Sequence, residues 1–144
     1  MYSNLLLPTD GSEGAAEAIE VGLKIAQRFD SVVHALYVID RRFVATDYDP
    51  VVEEAESEAE QALDWVGKLG AEQGIPIEKH LRTGIPHEEI LGAIVAYDID
   101  LVVMGTHGRT GIDRLVHLGS VTERVVRAAP VHVITVPLRP RTAE

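Results

Sequence analysis

Five short aliphatic and β-branched runs alternate with stretches whose apolar residues recur every three or four positions, and this alternation constrains the fold more than any other feature. The runs are Asn4 to Leu7, Val32 to Ile39, Ile75 to Leu81, Leu101 to Met104 and Val131 to Val136. Val32 to Ile39 is apolar at nearly every position, as a strand covered on both faces would be. The first intervening stretch, from Ser12, places Ala15, Ile19, Gly22, Leu23, Ala26 and Phe29 on one helical face and Glu13, Glu17, Glu20, Lys24 and Arg28 on the other. The second carries Ala55, Ala59, Ala62, Val66 and Leu69 at helical spacing, with Gly70 or Gly74 to end it. The third, Glu88 to Tyr97, holds Ile90, Leu91, Ile94 and Val95, and the fourth runs from Ser120 to Ala128, ahead of Pro130. Strands separated by helices need crossover connections, so the sheet should be parallel. The expected class is α/β: a doubly wound five-stranded parallel sheet in strand order 3-2-1-4-5, with helices on both faces. Ligands of such sheets bind beyond the carboxyl ends of the strands at the switch point, here between the first strand, ending near Asp10, and the fourth, ending near Gly105.

The rest of the chain sets bounds. Asp40 to Pro50 has no period and reads as an irregular loop, the acidic run Glu53 to Glu60 as a solvated helix face, and 137–144 as a loose tail. At 144 residues and 15.7 kDa the expectation is a single domain spanning 1–144. Such a chain should bury roughly 68% of its unfolded surface without a staple. Cysteine is absent, which removes thiol nucleophiles, Cys-based zinc sites and disulfides. The N-terminus lacks a basic region and a long apolar run, and no segment approaches the roughly 20 apolar residues a bilayer demands. A cytoplasmic protein with no membrane partner is therefore expected. A formal charge of −10, from 13 basic and 23 acidic residues, opposes nucleic-acid binding.

Against that acidic background, Gly105 to Gly119 carries Arg109 and Arg114 with one acid, Asp113. Gly105 and Gly108 let backbone approach a ligand, and a helix opening at Gly119-Ser120 directs N–H groups and positive dipole outward. This is the chemistry of an anion site, and a phosphate would account for the local charge reversal. Ser120-Val121-Thr122-Glu123 also has the spacing of a capping box, with Ser120 as the cap. Asp10 stands open to two roles, acceptor for a ribose hydroxyl or part of the turn Asp10-Gly11-Ser12-Glu13 that starts a helix. His107 could meet phosphate or solvent. The six histidines show no His-Glu-x-x-His spacing, so a protein-held metal is not expected.

Leu-Pro-Thr-Asp at the first strand end, Val-Ile-Asp at the second, Met-Gly-Thr-His-Gly-Arg-Thr-Gly after the fourth and Gly-Ser-Val-Thr-Glu beyond it occur in this order. In this combination, from Leu5 to Val136, the chain resembles the universal stress protein family, in its ATP-binding, single-domain form. The resemblance implies that Pro8, Thr9 and Asp10 line the nucleotide and that Val38 offers backbone to adenine. It implies further that Met104, Gly105, Thr106, His107, Gly108, Arg109, Thr110 and Gly111 wrap ribose and phosphates, and that Gly119, Ser120, Val121 and Thr122 receive the phosphate tail. Magnesium could arrive with the ATP. A homodimer paired through Val131 to Val136 is implied as well, with a signalling partner that the sequence does not name. The family signature has nine residues between the second glycine and Gly-Ser, whereas Arg109 to Leu118 makes ten.

The function expected is ATP-binding stress regulation by a homodimer, with at most slow hydrolysis and no catalytic residues assigned. A P-loop needs Gly-Lys-Ser or Gly-Lys-Thr, and no lysine follows Lys79. A phospho-receiver is opposed by Leu81-Arg82-Thr83, which offers no acceptor Asp, and a dinucleotide oxidoreductase by Pro8 to Gly14, which lacks Gly-x-Gly-x-x-Gly. The competing reading is a nucleotide-free dimeric interaction module of the same fold, favoured by the longer spacer.

Overall fold

The computed structural model describes residues 1–42, 49–106 and 118–138. Its elements are β1 (Asn4–Thr9), α1 (Glu13–Phe29), β2 (Val32–Asp40), α2 (Asp49–Glu72), β3 (Ile77–Gly84), α3 (Pro86–Ala96), β4 (Leu101–Gly105), α4 (Ser120–Ala128) and β5 (His132–Val136). All strand pairs are parallel, and the order is β3-β2-β1-β4-β5, as the alternating pattern predicts.

The sheet is buried on both faces because alternate residues of each inner strand point to opposite sides. On one side Leu5, Leu7, Val33 and Val103 pack with Ile19 and Leu23 of α1 and Val66 of α2. On the other, Leu6, Leu36 and Val102 meet Ile90 and Ile94 of α3 and Val125 of α4. Each fully buried aliphatic side chain of this kind contributes about 1.5–3 kcal/mol. Gly22 lets α1 lie close on the sheet, since a Cβ there would strike the buried Leu7 side chain.

Several boundaries depart from the sequence reading, each for a local reason. α2 begins at Asp49, inside the stretch Asp40 to Pro50 that reads as a loop: Pro50 lies in a first helical turn, where a missing N–H costs nothing. Pro86 plays the same part in α3, which starts two residues before Glu88. β3 runs on to Gly84, past Leu81, because this edge strand alternates polar and apolar side chains instead of being uniformly apolar. β1 continues through Pro8 to Thr9. Its ladder to β4 is registered only at Leu5↔Leu101 and Leu6↔Val102, while pairing to β2 continues to Thr9↔Tyr37. The two central strands part before Pro8, which has no N–H to offer β4, and that parting is where the switch-point crevice opens.

Candidate functional site

The crevice is built from the ends of β1 and β4 and the starts of α1 and α4. At the end of β1, Thr9 Oγ1 accepts the Gly11 N–H at 3.1 Å and Asp10 Oδ1 accepts the Ser12 N–H at 2.9 Å. Ser12 Oγ then accepts the Ala15 N–H at 3.2 Å and caps α1. These bonds lock the turn, with Gly11 at φ 81° in the left-handed region. Asp10 belongs to the turn and Ser12 is the cap.

β4 ends against the first turn of α1. A Cβ on Gly105 would lie 2.9 Å from the Gly14 carbonyl oxygen and 3.0 Å from its carbon, so glycine at 105 serves helix–strand contact. The Gly105 carbonyl accepts the Thr122 hydroxyl at 2.8 Å, and the Thr106 carbonyl accepts the Gly119 N–H at 2.7 Å. Thr106 donates in turn to Val136 of β5 at 3.1 Å. The chain thus leaves β4 and re-enters at α4 through a closed base.

The start of α4 corrects the capping-box expectation. The cap position is Gly119 (φ −60°, ψ 152°), with no side-chain hydrogen bond, and Ser120 is already helical. The first intrahelical bond runs from the Glu123 N–H to the Gly119 carbonyl at 2.9 Å, so the Ser120, Val121 and Thr122 amides precede the helical ladder. With no side-chain cap from Gly119, these N–H groups and the dipole form the anion-attracting end of α4. Thr122 is buried, and its hydroxyl hydrogen is committed to Gly105, so toward a phosphate it offers its amide.

Of the sequence-predicted site residues, Pro8, Thr9 and Asp10 lie at the end of β1, Met104, Gly105 and Thr106 at the end of β4, and Gly119, Ser120, Val121 and Thr122 at the start of α4, the last two groups tied together by hydrogen bonds. Val38 stands on β2, two residues beyond the Pro8↔Leu36 pair and half-buried against the α3–α4 face. His107, Gly108, Arg109, Thr110 and Gly111 lie outside the described residues. At the end of β2, Arg42 grips Asp40 through two side-chain bonds of 3.1 and 2.8 Å, and that hydrogen bonding holds the carboxyl below its ordinary pKa.

Sequence reasoning missed two features. One is a groove of about 360 Å³ between the start of α1 and the middle of α2, with Thr9, Ser12 and Ala16 on one wall and Gln61, Ala62 and Trp65 on the other. Its signal was Gln61 and Trp65 flanking Ala62 on the helical stretch, where only Ala62 was read, as part of the apolar face. The other is the pairing of His34 with His80, 46 positions apart, which no local spacing could disclose. Among the described residues no group of three or more metal-ligating side chains could hold an ion, and no helix is long and apolar enough to cross a membrane.

The fold is that of a doubly wound α/β protein, with the start of a short helix, α4, bonded to the end of β4. The chain belongs to the universal stress protein family, whose model matches residues 1–137. It is 38% identical over 141 residues to universal stress protein MJ0531 of Methanocaldococcus jannaschii, covering 94% of this chain and 82% of that one. Universal stress protein UspA of Lactobacillus plantarum superposes with a TM-score of 0.81 at 32% identity, over 94% of this chain and 97% of that one. At the level of fold alone, a universal stress protein solved in complex with cAMP matches with a TM-score of 0.76 at 21% identity, covering 96% of this chain and 99% of that one.

Thr122→Val tests the α4 anchor. It removes the 2.8 Å bond to Gly105 at nearly constant shape and leaves a carbonyl without that partner. The expected loss is about 1–3 kcal/mol in urea unfolding; a change under about 0.5 kcal/mol would mean that the bond does not fix α4.

Proposed function

We propose that this chain binds ATP, accompanied by magnesium, in the crevice between β1 and β4, and acts as a cytoplasmic homodimeric regulator with at most slow hydrolysis. The observation that carries the proposal is the head of α4. It lacks a side-chain cap, and the Gly119–Thr106 bond pins it beside the end of β4. Ser120, Val121 and Thr122 would hold the phosphates through backbone amides, with Gly119, whose own N–H is bonded to Thr106, leaving the approach to them open; Pro8, Thr9 and Asp10 would line the nucleoside, and Val38 would meet adenine. Met104, Gly105 and Thr106 would form the floor, continued by His107 to Gly111. The ligand would supply the charge that a regulatory partner reads. The whole chain, 1–144, is proposed to be one such domain. A protein of this fold solved with cAMP supports an adenine nucleotide as the ligand class.

The ten-residue spacer favours the competing nucleotide-free module. The closed base opposes that reading, because the 2.7 Å Gly119–Thr106 bond sets the start of α4 whatever the spacer length.

The test is thermal unfolding with Mg-ATP. A ligand that binds only the folded state at a hundredfold excess over Kd adds about 2.7 kcal/mol, so Tm should rise. Gly119→Val should remain folded, because φ −60° and ψ 152° suit any residue. It should nevertheless lose most of the shift, since the branched side chain blocks approach to the amides. No shift of the natural chain in millimolar Mg-ATP would overturn nucleotide binding, and a normal shift in Gly119→Val would overturn the phosphate placement.

A further inference from the structure

Away from the crevice, toward the opposite end of the sheet, lies a column of rings that the nucleotide reading does not use. His34 of β2 is 6% exposed. Its Nδ1 lies 3.0 Å from Nε2 of His80 on β3, and its Nε2 lies 3.3 Å from Oδ1 of Asn4 on β1. The His34 and His80 rings are nearly parallel, and His80 stacks on Tyr97, the residue that ends α3, with centroids 3.8 Å apart. Arg82 of β3 donates to the Tyr97 hydroxyl at 3.2 Å.

The hydrogen bonds assign the protons. Asn4 Nδ2 donates to the Asp98 carbonyl at 3.3 Å, so its amide oxygen faces His34. That oxygen only accepts, hence His34 carries its hydrogen on Nε2 and presents Nδ1 as an acceptor, and His80 Nε2 must donate. One directional chain therefore joins β3, β2, β1 and the turn after α3. Adding one proton to the histidine pair still leaves a donor facing an acceptor across the 3.0 Å gap. Adding a second leaves N–H against N–H and two positive charges in contact.

We propose that the His34–His80–Tyr97 column is an acid-sensitive latch: neutral or singly protonated it ties edge strand β3 to β2 and to the end of α3, and doubly protonated it lets that edge loosen. The surrounding groups set its direction. Glu78 of β3, 3.5 Å from His34 Nε2 and largely exposed, favours protonation. Arg82, beside His80, opposes it and is itself engaged with Tyr97 and Glu89. The Asp100 carboxylate is occupied by the Ser3 and Asn4 amides at 2.9 and 3.3 Å, and Asp98 contributes its carbonyl. Burial is the largest influence on both histidines and lowers both below the ordinary 6.5; for His80 the neighbouring His34 and Arg82 add to the lowering. The unfolded chain then binds more protons than the folded one in mild acid. The pair's contribution to stability is full above the unfolded value near 6.5 and is lost as pH falls through the lower folded values.

The experiment compares urea unfolding at about pH 7.5 and about pH 5 for the natural chain, for His80→Gln, and for His87→Gln as a control histidine on α3, outside the column and β5. On lowering the pH, the folding constant of the natural chain and of His87→Gln should fall at least tenfold further than that of His80→Gln. Imidazole NMR and amide exchange of the natural chain provide a readout that does not depend on any variant folding. Two ring signals should titrate below about 6.5, and exchange in 77–84 should accelerate with them, relative to β1 and β4. Equal pH dependence in His80→Gln and the natural chain would overturn the latch, as would ring titrations at or above 6.5 with β3 protection unchanged.

Discussion

Gly105→Val should lower stability by about 3 kcal/mol or more, and Gly105→Ala by about 1–3 kcal/mol, in urea unfolding followed by circular dichroism. The reason lies in what the new Cβ would meet. At 2.9 Å from the Gly14 oxygen and 3.0 Å from its carbon, it would strike backbone in the first turn of α1, where no side chain can swing aside. Either α1 moves off β4 or β4 ends early. The second course breaks the Gly105 carbonyl's bond to Thr122, and with it the anchor of α4. Valine is worse than alanine because branching leaves it fewer rotamers with which to avoid the helix. If the fold survives, the same displacement shifts the Asp10–Ser12 turn relative to the head of α4, so Mg-ATP stabilisation should fall together with folding stability. Gly119→Val should separate the two effects, losing the nucleotide shift without the stability loss. A Gly105→Val protein within about 0.5 kcal/mol of the natural chain would show that α1 and β4 are not in the contact described.

The strand order and both sheet faces were legible because burial writes itself into consecutive residues. Leu5, Leu6 and Leu7 face opposite sides of one central strand, and no other environment asks for three leucines in a row there. The helix starts were less legible. Pro50 reads as a loop residue and the third helix as beginning at Glu88, after Pro86, although proline suits a first helical turn, and the choice between these roles depends on tertiary contacts that the local sequence does not carry. The crevice was legible as a position, from the strand ends and the glycines, but its internal bonds were not. Ser120 has the residue type and spacing of a cap, yet the Gly119 N–H bond to Thr106 fixes the chain so that helix geometry begins one residue earlier than a serine cap requires. The meetings of Gly105 with Gly14 and of His34 with His80 depend on register between distant elements, and each residue alone has an ordinary local explanation.

Substitutions in the edge strand β5 should separate folding from the proposed assembly. Its burial alternates, with Ile134 on the exposed positions and Val133 on the half-buried ones packed against the α3–α4 face. On the proposal that two copies pair through 131–136, Ile134→Asp should weaken the dimer at least tenfold, about 1.4 kcal/mol, because a twofold axis brings two new carboxylates to one interface. Its effect on the folding of a single chain should stay within about 1 kcal/mol, since Ile134 is already 36% exposed there. Val133→Asp should do more, because a carboxylate placed beside Val125 and Ile94 must be desolvated or neutralised, and about 2–3 kcal/mol of folding stability should be lost with the dimer. Sedimentation equilibrium and urea unfolding on the three proteins distinguish the two effects. A natural chain that stays monomeric at tens of micromolar would end the proposed assembly. Equal folding losses in both variants would mean that the two faces of β5 are not differently buried. An Ile134→Asp protein that dimerises as the natural chain does would move the interface away from this strand.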